Sequence, residues 1–124
     1  MEYIVLNIID KYPSLLAKEM VLERHLTARE NMDLRDALTV VKMQLNAIES
    51  WFVLLSVEER VVFRQVLLGN HDAGDANRIA ATRWLERIVR AGQSPWKLKE
   101  SAIRKISDFS GAHRKLMDAI FEDI

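Results

Sequence analysis

The chain contains no cysteine, which excludes disulfide bridges, thiolate zinc sites and a cysteine nucleophile together. That absence fits a reducing cytoplasm. Only two prolines and four glycines interrupt the 124 residues. With breakers so sparse and Leu, Ala, Arg, Glu and Lys abundant, helix is favoured throughout. Net charge is absent as well, since 18 Lys and Arg balance 18 Asp and Glu. Averaged over the whole chain, that balance speaks against a strongly basic nucleic-acid binder. No apolar run approaches the roughly 20 residues of a membrane span. The short apolar stretch from Tyr3 to Ile9 lacks a basic leader and a small-residue cleavage site. A soluble, cytoplasmic protein with no membrane segment is therefore expected.

What is present is ordinary for a globular domain, with 49% apolar and 29% charged residues. A chain of this length suits one domain and can bury about two-thirds of its unfolded surface. No segment alternates apolar and polar residues with a β-branched face, so the expected class is all-α. A helical N-terminal part over 1–47, bracing or dimerising, is expected to precede a second helical region over 48–124.

Local signals place the helices. A first helix is expected over about Glu2 to Lys11, stopped by Pro13, with a second helix starting there and using Leu15, Leu16, Met20 and Leu22 as its apolar side. Thr27 and Glu30 have the spacing of a capping box. Then Leu34, Leu38, Val41, Leu45, Ile48, Phe52 and Leu55 recur in steps of 4, 3, 4, 3, 4 and 3. This heptad seam suits either a long core helix or a two-chain coiled-coil contact. Ser56 and Glu59 form a second capping box, and the helix after it ends at Gly69-Asn70. A polar loop over Gly69 to Gly74 leads to a helix over about Asp75 to Ala91, with Ile79, Leu85, Ile88 and Val89 inward. Gly92 sits where a C′ glycine belongs. Ser94 and Pro95 then restart the chain as N-cap and N1. Leu98, Ala102, Ile103 and Ile106 share one face of that helix, and a final helical segment from about Gly111 to Phe121 either continues it or folds back.

Catalytic chemistry finds little support. His25, His71 and His113 are far apart and match no metal-ligand spacing. Glu58 and Glu59 are adjacent, so on a helix they do not face each other, and they read as favourable first-turn charges. His71-Asp72-Ala73-Gly74-Asp75 lacks the alternate acidic positions and the final Glu of a calcium loop. No phosphate-binding loop, nucleophile elbow or dinucleotide fingerprint occurs. The expectation is a protein that is not an enzyme, with no cofactor and no metal.

The charges, however, are segregated. Met1 to Asp75 holds 8 basic and 12 acidic residues, a net −4; Ala76 to Leu116 holds 10 basic and 3 acidic, a net +7; the last eight residues hold 3 acidic and none basic, a net −3. The basic segment coincides with a helix–turn–helix candidate. Its first helix carries Arg78, Arg83, Arg87 and Arg90, its turn is Ala91 to Ser94, and its second helix carries Lys97, Lys99, Arg104 and Lys105. Basic side chains neutralise phosphates and release counterions. Arg83, Arg87 and Arg90 are the candidate phosphate contacts. Base edges are read by a helix placed in the major groove, and Lys97, Glu100, Ser101 and Arg104 fall on the expected outer face.

These residues carry a resemblance. Ala102-Ile103-Arg104-Lys105-Ile106, with Leu98 before it, resembles the end of the recognition helix in the promoter-reading domain of sigma factors. Leu55-Ser56-Val57-Glu58-Glu59-Arg60 followed by Val61, Val62 and Phe63 resembles the start of that domain. The spread Ile48-Glu49-x-Trp51, Leu68-x-Asn70 and Ser94-x-Trp96-Lys97-Leu98-Lys99 resembles phage-encoded ArpU-like and RinA-like regulators. The likeness covers about Ile48 to Phe109. The entry to the expected first helix departs from the sigma pattern, which only Ile79-Ala80 approximates, and the segment up to Gly92 is longer.

The resemblance implies a recognition helix over about 95–109, with Gln93, Ser94, Trp96, Lys97, Lys99, Glu100, Ser101 and Arg104 toward DNA. Trp96 has two readings, packed over the turn or laid against DNA. Trp51 and Trp84 are expected in the core. The implied function is a phage or mobile-element transcription regulator. Its partners would be double-stranded DNA, with RNA polymerase and a second copy through the 34–55 seam as further candidates. The alternative is a helical adaptor for another protein, such as an anti-repressor, a sigma-binding protein or a packaging accessory.

Overall fold

A computed structural model describes residues 2–68, 83 and 85–122. These residues are all-α, with no strand among them. Helix α1 spans Glu2–Ala28, α2 spans Met32–Ser50, and a 3-10 turn over Trp51–Leu54 leads to α3, Val57–Leu68. Residues 85–90 form α4, Pro95–Ala112 form α5 and Arg114–Ile120 form α6. The loop over 69–74, together with Arg78, Ile79, Ala80, His71 and Trp84, lies outside the described residues.

Pro13 does not stop the first helix; it lies inside α1. A proline there forfeits one backbone hydrogen bond and crowds the preceding turn, at about 3 kcal/mol. The helix continues because its apolar stripe does. Val5, Ile8, Ile9, Tyr12, Leu15 and Leu22 are all buried in one cluster, and Pro13 stands beside that stripe. A break at residue 12 would turn the two halves of the stripe away from each other. Met20, expected with this stripe, is exposed.

The expected cap at Thr27 is also displaced. Its hydroxyl donates to the Glu23 carbonyl at 2.8 Å, one turn back within α1. Asn31 caps α2 instead. Its backbone is extended, and its side chain accepts from the Leu34 amide at 3.2 Å. Glu30 turns outward to a two-pronged ion pair with Arg35, at 2.5 and 2.9 Å.

The heptad seam is spent inside the chain. Val41, Leu45, Ile48 and Leu55 are buried, and Leu34, Leu38 and Phe52 pack against the same cluster. Helices α1 and α2 make the most extensive contact, and α3 packs chiefly on α5. The coiled-coil reading of 34–55 therefore loses its free face, and the core-helix reading is the one observed. Trp51 is in the core, as expected, with its ring 6.2 Å from that of Phe121. Phe52 meets Phe63 edge-on at 5.3 Å.

The final segment is divided: Gly111 and Ala112 continue α5, and the chain turns at His113 into the short α6. Gln44, buried on α2, donates from Nε2 to the Ile120 carbonyl at 3.1 Å, closing the end of α6. Position 47/48 falls within α2, and one cluster joins α1, α2, α3, α5 and α6 across it.

Candidate nucleic-acid interface

The turn between α4 and α5 is built by its sequence. Gly92 has a φ of +80°, a left-handed conformation that side chains rarely adopt. Its amide donates to the Val89 carbonyl at 3.0 Å, and the Gln93 amide donates to the Ile88 carbonyl at 3.1 Å. Those two bonds define a Schellman end to α4. Ser94, in extended conformation, then accepts from the Lys97 amide at 3.4 Å, and Pro95 takes the first helical position. The C′ glycine and the Ser-Pro restart expected from the sequence are both present.

Arg83, Arg87 and Arg90 are exposed and spaced at i, i+4 and i+7, which places them on one side of a helix. Ile88 is buried and Leu85 half-buried, as expected, but Val89 is exposed rather than inward. On α5 the inward side is Ala102, Ile103, Ile106, Ser107 and Ser110. Opposite it, Lys97, Glu100 and Arg104 are exposed at steps of 3 and 4, with Asp108 one turn further. Among the described residues neither Lys97 nor Arg104 forms an ion pair. Gln93 is exposed on the turn, and Ser94 is half-buried with its oxygen committed to the cap.

Trp96 does not pack over the turn as core; it is 64% exposed. It lies in the first turn of α5, before the inward face begins at Ala102. Lys99 covers it, with Nζ 5.3 Å from the ring centroid. Such an arrangement holds a cation over a π face at the cost of little ordering.

Ser101 is not fully exposed like Lys97 and Arg104; it is half-buried, on the side of α5 near Glu59. Lys105, expected on the basic surface, is turned to the Glu59 carboxylate, its Nζ 2.6 Å from Oε1. Glu59 itself is only 2% exposed. It closes the capping box expected at Ser56: Oε1 accepts from the Ser56 amide at 2.8 Å, while the Glu59 amide donates to Ser56 Oγ at 3.2 Å. Burial pushes its pKa up. The hydrogen bonds from Lys105 and Ser56, with the Ser101 hydroxyl nearby, outweigh burial and hold the carboxyl at about 2. The capping box was legible from the spacing. The tie to Lys105, 46 residues away, had no local signal.

Elsewhere, Tyr12, Glu49, Phe52, Arg64 and Leu67 line a cleft of about 400 Å³. Burial, and then the Glu49 charge, push the Tyr12 hydroxyl above its usual range, and Arg64 stacks over the Phe52 ring at 5.1 Å. Among the described residues no group of three or more His, Asp and Glu is placed to hold a metal ion. No helix among them is long and apolar enough to cross a membrane. No protein-family model, curated protein or solved structure matches the chain.

Proposed function

We propose that this protein is a non-enzymatic, sequence-specific regulator of transcription that binds double-stranded DNA through a helix–turn–helix formed by α4 and α5. The observation that carries the reading is the exposed Lys97–Glu100–Arg104 stripe on a capped helix that follows a closed, four-residue turn. In this reading the N-terminal half of α5 enters the major groove, where Lys or Arg can pair with guanine and Glu can accept from cytosine. Gln93, Trp96 and Lys99 border the groove. Arg83, Arg87 and Arg90 neutralise phosphates, which sets register and supplies affinity without sequence information. Helix α1 packs against α5 and braces this unit, with α2 packed on α1. The likeness to sigma factors and phage regulators extends the proposal to RNA polymerase as a second partner, a phage or mobile-element origin and a cytoplasmic setting. A dimer of the chain would use a face other than the 34–55 seam.

The test is a gel shift at low salt on a pool of random-sequence duplexes, followed by selection of the bound fraction. The expected result is retardation of the pool and enrichment of one sequence. Lys97→Ala and Arg104→Ala weaken binding to that sequence by about 1–3 kcal/mol each while helix content is kept. No retardation at low salt, where phosphate binding is strongest, would contradict the reading. It would favour the adaptor, for which the adjacent exposed Val53 and Val57 offer an apolar contact.

A further inference from the structure

Glu59 is placed unlike any other carboxylate among the described residues. It is the third residue of α3, and its side chain closes the start of that helix through Ser56. The same carboxylate holds Lys105 of α5 at 2.6 Å, with Ser101 of α5 beside it. Its side chain is 3% exposed, whereas that of Lys105 is 45% exposed, so the anion is inside and the cation reaches in from the rim. Charge-assisted bonds of this kind are short and directional. Apolar packing between α3 and α5 would tolerate small rotations, but a buried anion whose Oε1 is held by Lys105 and the Ser56 amide, with Oε2 left without a partner, does not. Ser101 and Lys105 flank Arg104 on α5, so the rotation that satisfies Glu59 also sets the direction in which Arg104 and Lys97 point.

We infer that Glu59 is the positioning residue of the DNA interface, fixing the rotation of α5 about its own axis through Lys105. The inference rests on the DNA-binding reading. Glu59 touches no DNA; it acts by aiming residues that do. Its loss should therefore blur discrimination between sequences more than it weakens attraction to phosphates.

Two variants test this. Glu59→Gln keeps a side-chain oxygen for the Ser56 amide but removes the charge that holds Lys105. Lys105→Gln removes the cation and leaves the cap. Both are measured, well below their unfolding midpoints, on the duplex selected with the wild type and on a scrambled duplex of equal length. Affinity for the selected duplex should fall roughly tenfold, the size of one misplaced base contact. Affinity for the scrambled duplex should stay within about threefold, because phosphate contacts are sequence-independent. Lys105→Arg, which keeps a donor cation, should restore most of the ratio. An unchanged ratio in both variants, or equal loss on both duplexes, overturns the inference. If the wild type binds neither duplex, the DNA reading itself fails. Amide exchange then decides the positional role: faster exchange in α5 of Glu59→Gln with α1 unchanged supports it, and uniform exchange overturns it.

Discussion

The α1–α2 hairpin and the α3–α5 pair are held together by different physics. In the hairpin, apolar residues fill the contact and the charges stay in water: Glu23 and Lys42 meet at 3.1 Å with both side chains about half exposed. In the α3–α5 pair, a single buried carboxylate joins the elements, and apolar packing surrounds it. Apolar burial is strong but non-directional, whereas a buried ion pair adds little net stability and much geometric definition in favourable cases. The first arrangement suits a brace. The second suits a helix whose orientation matters.

Breaking the brace should have the largest effect. Ile8→Ala on α1 empties a fully buried site in the cluster that α1 and α2 share, and it should cost about 2–5 kcal/mol. Chemical denaturation reads this directly, and a loss under 1 kcal/mol would mean that the hairpin is not the stabilising half.

Removing the cation from the second region comes next. Lys105→Gln leaves the Glu59 anion covered and short of a charged donor, at about 1–3 kcal/mol. The same carboxylate predicts an acid transition. Its folded pKa of about 2 lies below the ordinary 4.5, so it contributes stability above the unfolded value that is lost as pH falls from about 5 toward 2. The contribution is on the order of 3 kcal/mol, and Glu59→Gln should flatten stability over that interval. A wild-type curve already flat between pH 5 and 2 would show that Glu59 ionises normally.

Smaller still, Ser94→Ala removes the cap of α5 at about 1 kcal/mol. At the bottom of the scale, Arg35→Ala breaks an ion pair whose two side chains are more than half exposed. It should leave the urea midpoint unchanged, since exposed pairs contribute little.

The same contrast explains what the sequence disclosed. Features set by neighbours in the chain were legible: the Ser56 and Glu59 box, the Gly92 turn, the Ser94-Pro95 restart and the 4-3 seam of α2. Pro13 carries a strong local stop signal that burial of Ile9, Tyr12 and Leu15 along one stripe overrides, and the cap expected at Thr27 is taken by Asn31, four residues on. The apolar spacing on both sides of Pro13 was the available clue. Helical periodicity puts Ser101 on the outer face of α5, and charge alone counts Lys105 with the basic residues of that helix. The partner of Lys105 lies on another helix, and no periodicity reports a contact across 46 positions. Trp96 was split between two roles because a tryptophan in a first turn has no sequence mark of exposure. Lys97 and Arg104 stay on the exposed side of α5, whereas Lys105 turns to Glu59.

The most direct test of the account is the salt dependence of binding to the selected duplex. The wild type should show a steep fall of log affinity with log salt. Lys97→Ala and Arg104→Ala should each weaken binding to that duplex far more than to a scrambled one, while Arg87→Ala and Arg90→Ala should lower the slope by about one each on both. Equal affinities for selected and scrambled duplexes in all five proteins would contradict the claim that α5 reads DNA.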